Sequence, residues 1–171
     1  MPFNINDYAK APLKLEYKIY FEHYSGQEVF DILDNPELIS EWYLLAENVQ
    51  LNSSKGKAKE SFTVDLTFFG HITEEVLYKS PPHHYVYSAK GDDFPIDGYI
   101  AEIEIITEPC DNKGVMIFKV YYKDVLNSKF KRIIPILFPV INEASINKLA
   151  EFIGGYKVES INHGKLRWLS Y

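Results

Sequence analysis

The sequence predicts an α+β fold: an antiparallel sheet of about six to seven strands, two short helices after the first strand, and one long C-terminal helix. Three observations carry this. Residues 13–23 and most of 49–125 alternate apolar and polar side chains, the period of a half-buried strand. Residues 25–42, SGQEVFDILDNPELISEW, instead repeat at helical spacing and break at Asp34-Asn35-Pro36. Helical spacing returns at residues 130–153, and Gly154-Gly155 stops it.

In the first strand Leu13, Leu15, Tyr17, Ile19 and Phe21 share one face, with Lys14, Glu16, Lys18 and Glu22 opposite. Ser25 is a suitable N-cap, and Glu28 stands three residues on, as a capping box requires. Val29, Phe30 and Leu33 form the apolar face of that helix. Pro36 ends it, because the residue before proline avoids the helical region, and opens the next helix at its first position. Leu38, Ile39 and Trp42 make the second apolar stripe.

The remaining strands follow with turn signals between them. VQL (49–51) is short. In ESFTVDLTFF (60–69), Phe62, Val64, Leu66 and Phe68 face one way. In HITEEVLYK (71–79), Ile72, Glu74, Val76 and Tyr78 share a face, and His71, Thr73, Glu75 and Leu77 the other. HYVYSAK (84–90) follows Pro81-Pro82. YIAEIEII (99–106) sets Tyr99, Ala101, Ile103 and Ile105 against Glu102 and Glu104. VMIFKVYYKDV (115–125) has Met116, Phe118, Val120 and Tyr122 on its apolar face. The last helix carries Ile134, Leu137, Ile141, Leu149 and Phe152. Pro135 and Pro139 disfavour its front, so regular helix is expected from about Val140 to Ile153. The expected organisation is one domain over 1–155, with 156–171 as a small hairpin or loosely packed extension.

A chain of 171 residues suffices for a full core. Its net charge of −6 and the absence of a basic patch argue against nucleic acid as a partner. Arginine occurs only at 132 and 167. A single cysteine, Cys110, excludes an internal disulfide and a thiolate metal cluster. The segment EPCDNKG around it marks a plain loop thiol. The start, MPFNINDYAK, lacks the features of a secretory signal, and the longest apolar run, IIPILFPVI, is too short to span a bilayer. A cytoplasmic location is therefore expected, with no transmembrane segment. A homodimer is an open option.

The order of elements resembles the START-like, Bet v 1-like superfamily (SRPBCC), which includes the birch-pollen-allergen relatives and the polyketide cyclase/dehydrase group. SGQEVFDILDNPELISEWY is similar to the family's opening, a short helix with a Val-aromatic pair leading through Asp to Trp. GHITEEVLYKSPPHHYVYSAKG resembles its glycine, glutamate and proline-turn passage into a Tyr-rich strand. The likeness covers roughly residues 13–153, and its motifs are patterns of residue type, not catalytic signatures. It implies a helix-grip fold, with a curved sheet around the long helix and the short helices closing one end. It also implies an apolar cavity for a hydrophobic small molecule (lipid-like, isoprenoid or aromatic) between sheet and C-terminal helix. Two alternatives stay open. One is a polyketide cyclase/dehydrase-type enzyme using cavity Tyr and Glu as acid–base groups. The other is a protein-interaction module using the C-terminal tail. The chain departs from the pattern at NSSKGKAK (52–59), which has one glycine only, at Pro135 and Pro139, and after residue 155.

With the sheet curved as the resemblance implies, the expected cavity residues are Tyr17, Trp42, Phe62, Val64, Leu66, Phe68, Tyr78, Tyr85, Tyr87, Tyr99, Ile103, Phe118, Tyr122, Leu137 and Ile141. The tyrosines would orient a ligand's polar groups, or simply fill the core. Glu74 is the candidate catalytic group. If Ile72 and Val76 face inward, so does Glu74, and a carboxylate in an apolar cavity can act as general acid or base. A one-residue change of register would instead send Glu75 inward. His83 and His84 are adjacent, so on a strand they point to opposite faces and do not chelate one ion. No phosphate loop, dinucleotide fingerprint, zinc-protease motif or nucleophile elbow occurs. No metal and no cofactor are expected.

Overall fold

In the computed structural model, which describes residues 3–52, 60–108, 112–124 and 132–163, the chain begins with a 3₁₀ turn (Ile5–Asp7) and enters strand β1 (Leu13–Glu22). Helix α1 (Gly26–Leu33) follows, then a 3₁₀ turn (Pro36–Leu38) and the short helix α2 (Ile39–Trp42). The six strands β2 (Ala46–Leu51), β3 (Ser61–Leu66), β4 (Gly70–Ser80), β5 (His84–Lys90), β6 (Ile96–Thr107) and β7 (Lys113–Asp124) form a meander. Helix α3 (Ile134–Phe152) leads into β8 (Gly155–Asn162). The eight strands among the described residues belong to one antiparallel sheet, in the order β2-β3-β4-β5-β6-β7-β1-β8.

The turn out of β1 is set by local chemistry. Ser25 Oγ accepts from the Glu28 amide at 3.2 Å, and Glu28 Oε2 accepts from the Ser25 amide at 2.8 Å. This closes the capping box and aims Val29, Phe30 and Leu33 into the core. Asn35 caps the next turn through its side chain, with Pro36 in the first helical positions. Ser25→Ala is expected to cost about 1 kcal/mol of stability, read as a lower midpoint in urea denaturation with an unchanged slope.

The long helix differs from expectation in two ways. It starts at Ile134 rather than near Val140, with Pro135 in its first turn, where a missing N–H costs nothing. Pro139 lies inside it, and the Asn142 side chain donates to the Phe138 carbonyl at 2.8 Å. Its buried face is Ile134, Phe138, Asn142, Ser145, Ile146, Leu149 and Ala150. Leu137 and Phe152, expected on that face, are exposed, and Ile141 is only half-buried. Helical spacing allows either i+3 or i+4 as the next contact, and packing selected Phe138 over Leu137.

The first part of the tail is a strand. Residues 155–162 form the edge strand β8, paired with β1 through Ile19↔Val158 and Tyr17↔Ser160. Residues 164–171, residues 53–59 and Cys110 lie outside the described residues. Among the described residues no helix is long and apolar enough to cross a membrane.

Candidate functional site

A cavity lies between the short helices and the inner face of the sheet. Leu33 of α1, Ile39 and Trp42 of α2, and Tyr43 just beyond line one side. The strands supply Phe62, Leu66, Ile72, Glu74, Tyr85, Tyr87, Ala89, Tyr99 and Ile103, and the loop before β6 supplies Phe94. The open space is narrow, about 30 Å3 for the centre of a water-sized sphere. That is room for roughly two waters. No α3 residue lines it. Where α3 crosses the sheet, Phe138 fills the gap edge-on against Tyr122, Tyr99 and Phe94. Tyr17 OH reaches the Pro139 carbonyl at 3.5 Å.

Among the described residues the cavity is lined by one carboxylate and no cationic side chain. Glu74 lies opposite Phe62 on β3 and Ala89 on β5, both core residues, so the pleat directs it inward. Among the described residues it has no hydrogen-bond or ion-pair partner. Some of its surface remains open, yet protein surrounds the carboxyl, and this loss of solvent pushes its pKa up to about 8. At neutral pH the carboxyl is largely protonated. The hydroxyls of Tyr43, Tyr85, Tyr87 and Tyr99 are all pushed above the ordinary phenol value, by burial first and by neighbouring charge, including that of Glu74, second. They remain hydrogen-bond donors. Among the described residues the Trp42 indole N–H is buried without a partner. Such an orphan donor costs about 1–3 kcal/mol.

A second, wider depression of about 300 Å3 lies outside the first, lined by Asp34, Pro36, Leu51, Asn52, Glu60, Ser61, Phe62, Val76, Lys79 and Tyr85. Phe62 and Tyr85 line both spaces, so they form the shared wall. Lys79 Nζ spans this depression, 3.0 and 3.1 Å from the two oxygens of Asp34 and 2.5 Å from Glu60. Burial works against the Lys79 charge, but its bonds to Glu60 and Asp34 more than offset this and raise its pKa.

Of the residues expected in the cavity, Trp42, Phe62, Leu66, Glu74, Tyr85, Tyr87, Tyr99 and Ile103 line it. Tyr17, Val64, Phe118 and Tyr122 are buried core residues that do not. Phe68 is 84% exposed. It sits at φ 74° in the turn after β3, which ends the alternation and buries Phe69 in its place. Tyr78 lies on the outer face, because the register shifts between Val76 and Tyr78. There it packs against Phe3, Tyr8 and His84. Leu137 and Ile141 are off the cavity, as the rotation of α3 dictates. Sequence reasoning missed Leu33, Ile39, Tyr43, Ile72, Ala89 and Phe94 as lining. Leu33, Ile39 and Ile72 were legible as apolar positions, but Tyr43 and Phe94 lie in loops with no periodicity to mark them.

On the outer face His84, Glu102 and Glu104 bring potential metal-ligand atoms within 4.8 Å of one another. Lys119 already supplies the positive charge there, 2.7 Å from Glu104 and 3.7 Å from Glu102. Tyr121 OH donates to Glu102 at 2.9 Å and His84 lies 3.1 Å from it, which satisfies this buried carboxylate. His83 is exposed and turned towards the Ile105 carbonyl.

The architecture is a helix-grip fold, similar to that of START-like and Bet v 1-like proteins: a meander sheet, two short helices after the first strand, and a long C-terminal helix packed on the sheet. Solved structures of that kind superpose over most of the chain. The Zhui aromatase/cyclase from a Streptomyces species aligns at TM-score 0.66 with 9% identity, covering 83% of this chain and 94% of its own. A START superfamily protein from Mycobacterium smegmatis gives 0.64 at 9% identity, covering 83% and 97%. Norcoclaurine synthase from Thalictrum flavum, solved with a transition-state analogue, gives 0.58 at 12% identity, covering 84% and 96%. No protein-family model and no curated protein matches the sequence. What is shared at this identity is the fold.

Proposed function

We propose that the protein binds a hydrophobic small molecule in the cavity between α1, α2 and the inner face of β3–β6. The single observation that carries this is the cavity lining: aromatic and aliphatic walls, with four phenols among them, around two polar groups, Glu74 and the Trp42 N–H, that have no hydrogen-bond partner among the described residues. A purely structural core would be expected to exclude or satisfy such groups. A lipid-like, isoprenoid or aromatic compound fits the lining. The space as it stands is too small for one, so Phe62 or Tyr85 must swing towards the outer depression to admit it. Native mass spectrometry of the purified protein, followed by denaturing extraction, tests this directly. A near-stoichiometric apolar compound is the expected result. A protein that stays empty and shows no melting shift against lipid and polyketide panels would sink the proposal.

Phe62→Ala provides a second check. Removing the ring joins the two spaces, so an apolar fluorescent probe such as 8-anilinonaphthalene-1-sulfonate should bind more tightly, by about threefold to tenfold, provided the fold persists. Unchanged binding would place the access route elsewhere.

A second reading has its own observation. A carboxyl held at about 8 is poised to give and take a proton near neutrality, which suits a cyclase- or dehydrase-type step on a bound carbonyl compound. An enzyme should lose turnover in Glu74→Gln with its fold intact. A carrier should keep its affinity for neutral ligands within a few fold.

A further inference from the structure

We propose that the ligand this cavity prefers carries a cationic nitrogen, seated against the faces of Trp42, Tyr43, Tyr85, Tyr87 and Tyr99 with Glu74 as its counter-charge; this rests on the reading of the cavity as a ligand site.

The charge inventory comes first. Among the described residues the lining contains one carboxylate, Glu74, and no Lys, Arg or His. An anionic ligand would face that carboxylate and the negative π faces of the rings, with no positive side chain to receive it. A neutral ligand would leave the Glu74 charge uncompensated whenever the group ionises. An ammonium group is attracted by both the carboxylate and the rings, and desolvation strengthens each attraction.

The ring geometry agrees. Tyr85 and Tyr87 lie 5.9 Å apart at 52°, and Tyr87 and Tyr99 lie 6.2 Å apart at 45°. Trp42 and Tyr43 meet at 84° with centroids 6.0 Å apart. Tilted pairs leave part of each π face unstacked, so a cation can approach it, although Phe30 meets Tyr85 edge-on and Phe94 and Phe138 meet Tyr99 in the same way. The burial of Glu74 without a partner has the same meaning. Burial holds it protonated at neutral pH, and a cation beside it would supply the counter-charge that lets it ionise.

The mouth is consistent with this. Asp34 and Glu60 place two carboxylates around the ammonium of Lys79, so the described lining of the outer depression is acidic on balance. The chain as a whole carries −6. Both features draw cations towards the opening. The wider outer space can take the rest of the molecule while its head occupies the inner one.

The groups facing Glu74 are Tyr43 beyond α2, Tyr85 and Tyr87 on β5, and Tyr99 on β6, all held above the ordinary phenol range; Asp34 and Glu60 act on Tyr85 from the mouth. Glu74 is thus the group whose charge changes near neutral pH within this set. The affinity of a ligand with a permanent positive charge should therefore rise with pH up to about 8 and level off above it.

The test is calorimetric titration with 2-phenylethylamine and its trimethylammonium derivative, against neutral 2-phenylethanol and anionic phenylacetate. It is run at about pH 6 and about pH 9, on the wild type and on Glu74→Gln. At the higher pH at least one cation should bind about tenfold or more tightly than the alcohol. The trimethylammonium advantage should shrink at the lower pH and collapse in Glu74→Gln, while the alcohol keeps its affinity. If the alcohol or phenylacetate binds as tightly as the cations, or Glu74→Gln retains the cation preference, the inference is overturned and the cavity reading survives. If no probe binds and nothing co-purifies, both fall together.

Discussion

Glu74→Gln stabilises the protein at pH 8 and above, and the gain disappears towards pH 4.5. In the folded chain this carboxyl holds its proton up to about 8, against an ordinary value of 4.5. Between those values the unfolded chain releases the proton and the folded chain keeps it. Stability therefore falls as pH rises through that window, by at most about 1.4 kcal/mol per pH unit. The contribution is fully present below 4.5 and lost above about 8. Glutamine has nearly the same shape and cannot ionise, so it avoids the loss. The measurement is the difference in urea-unfolding free energy between variant and wild type at a series of pH values. Taking the difference cancels the titration of distant groups. A difference that stays constant with pH would show that Glu74 is solvated in the folded protein, and would remove the electrostatic basis of the cavity's chemistry.

Phe138→Ala should cost about 3–5 kcal/mol, the range for truncating a large core aromatic. Phe138 is 4% exposed, and its ring meets Tyr122 at 5.1 Å, Tyr99 at 6.2 Å and Phe94 at 6.5 Å, all edge-on. It ties α3 to β6 and β7 and to the wall of the cavity at once. The control is its neighbour. Leu137→Ala removes a side chain that is 40% exposed and should change stability by less than about 1 kcal/mol. Thermal and urea unfolding of both variants check the pair. Comparable losses at the two positions would mean that α3 is rotated from the orientation described here.

That rotation marks a boundary between what local pattern reveals and what packing decides. The α+β class, the broken helix pair, the meander and the C-terminal helix were all legible, because alternation and helical spacing are properties of the chain itself. The capping box at Ser25 and Glu28 was legible for the same reason: its donors and acceptors lie within one turn. Strand β8 was not. Its residues have little alternation in burial, and an edge strand needs only a partner with open hydrogen-bonding groups, which β1 supplies from far away in sequence.

The candidate site divides in the same way. Trp42, Phe62, Leu66, Tyr85, Tyr87, Tyr99 and the orientation of Glu74 could be read from period two and from the helical stripe. Phe68 and Tyr78 could not be placed, since one positive φ and one register shift each send a side chain to the opposite face. The position of the cavity was also beyond sequence. The resemblance put it beneath the long helix, but Phe138 and its aromatic neighbours fill that space, and the opening lies under the short helices instead.

By itself, then, the sequence determined which segments are strands and helices and which faces are apolar, because backbone geometry repeats at 2.0 and 3.6 residues whatever the surroundings. Only the tertiary structure decided which apolar residues meet, where a gap is left between them, and that a carboxyl borders the gap with no counter-charge among the described residues. Those outcomes depend on side-chain volumes and charges brought together from distant parts of the chain, and no local period encodes them.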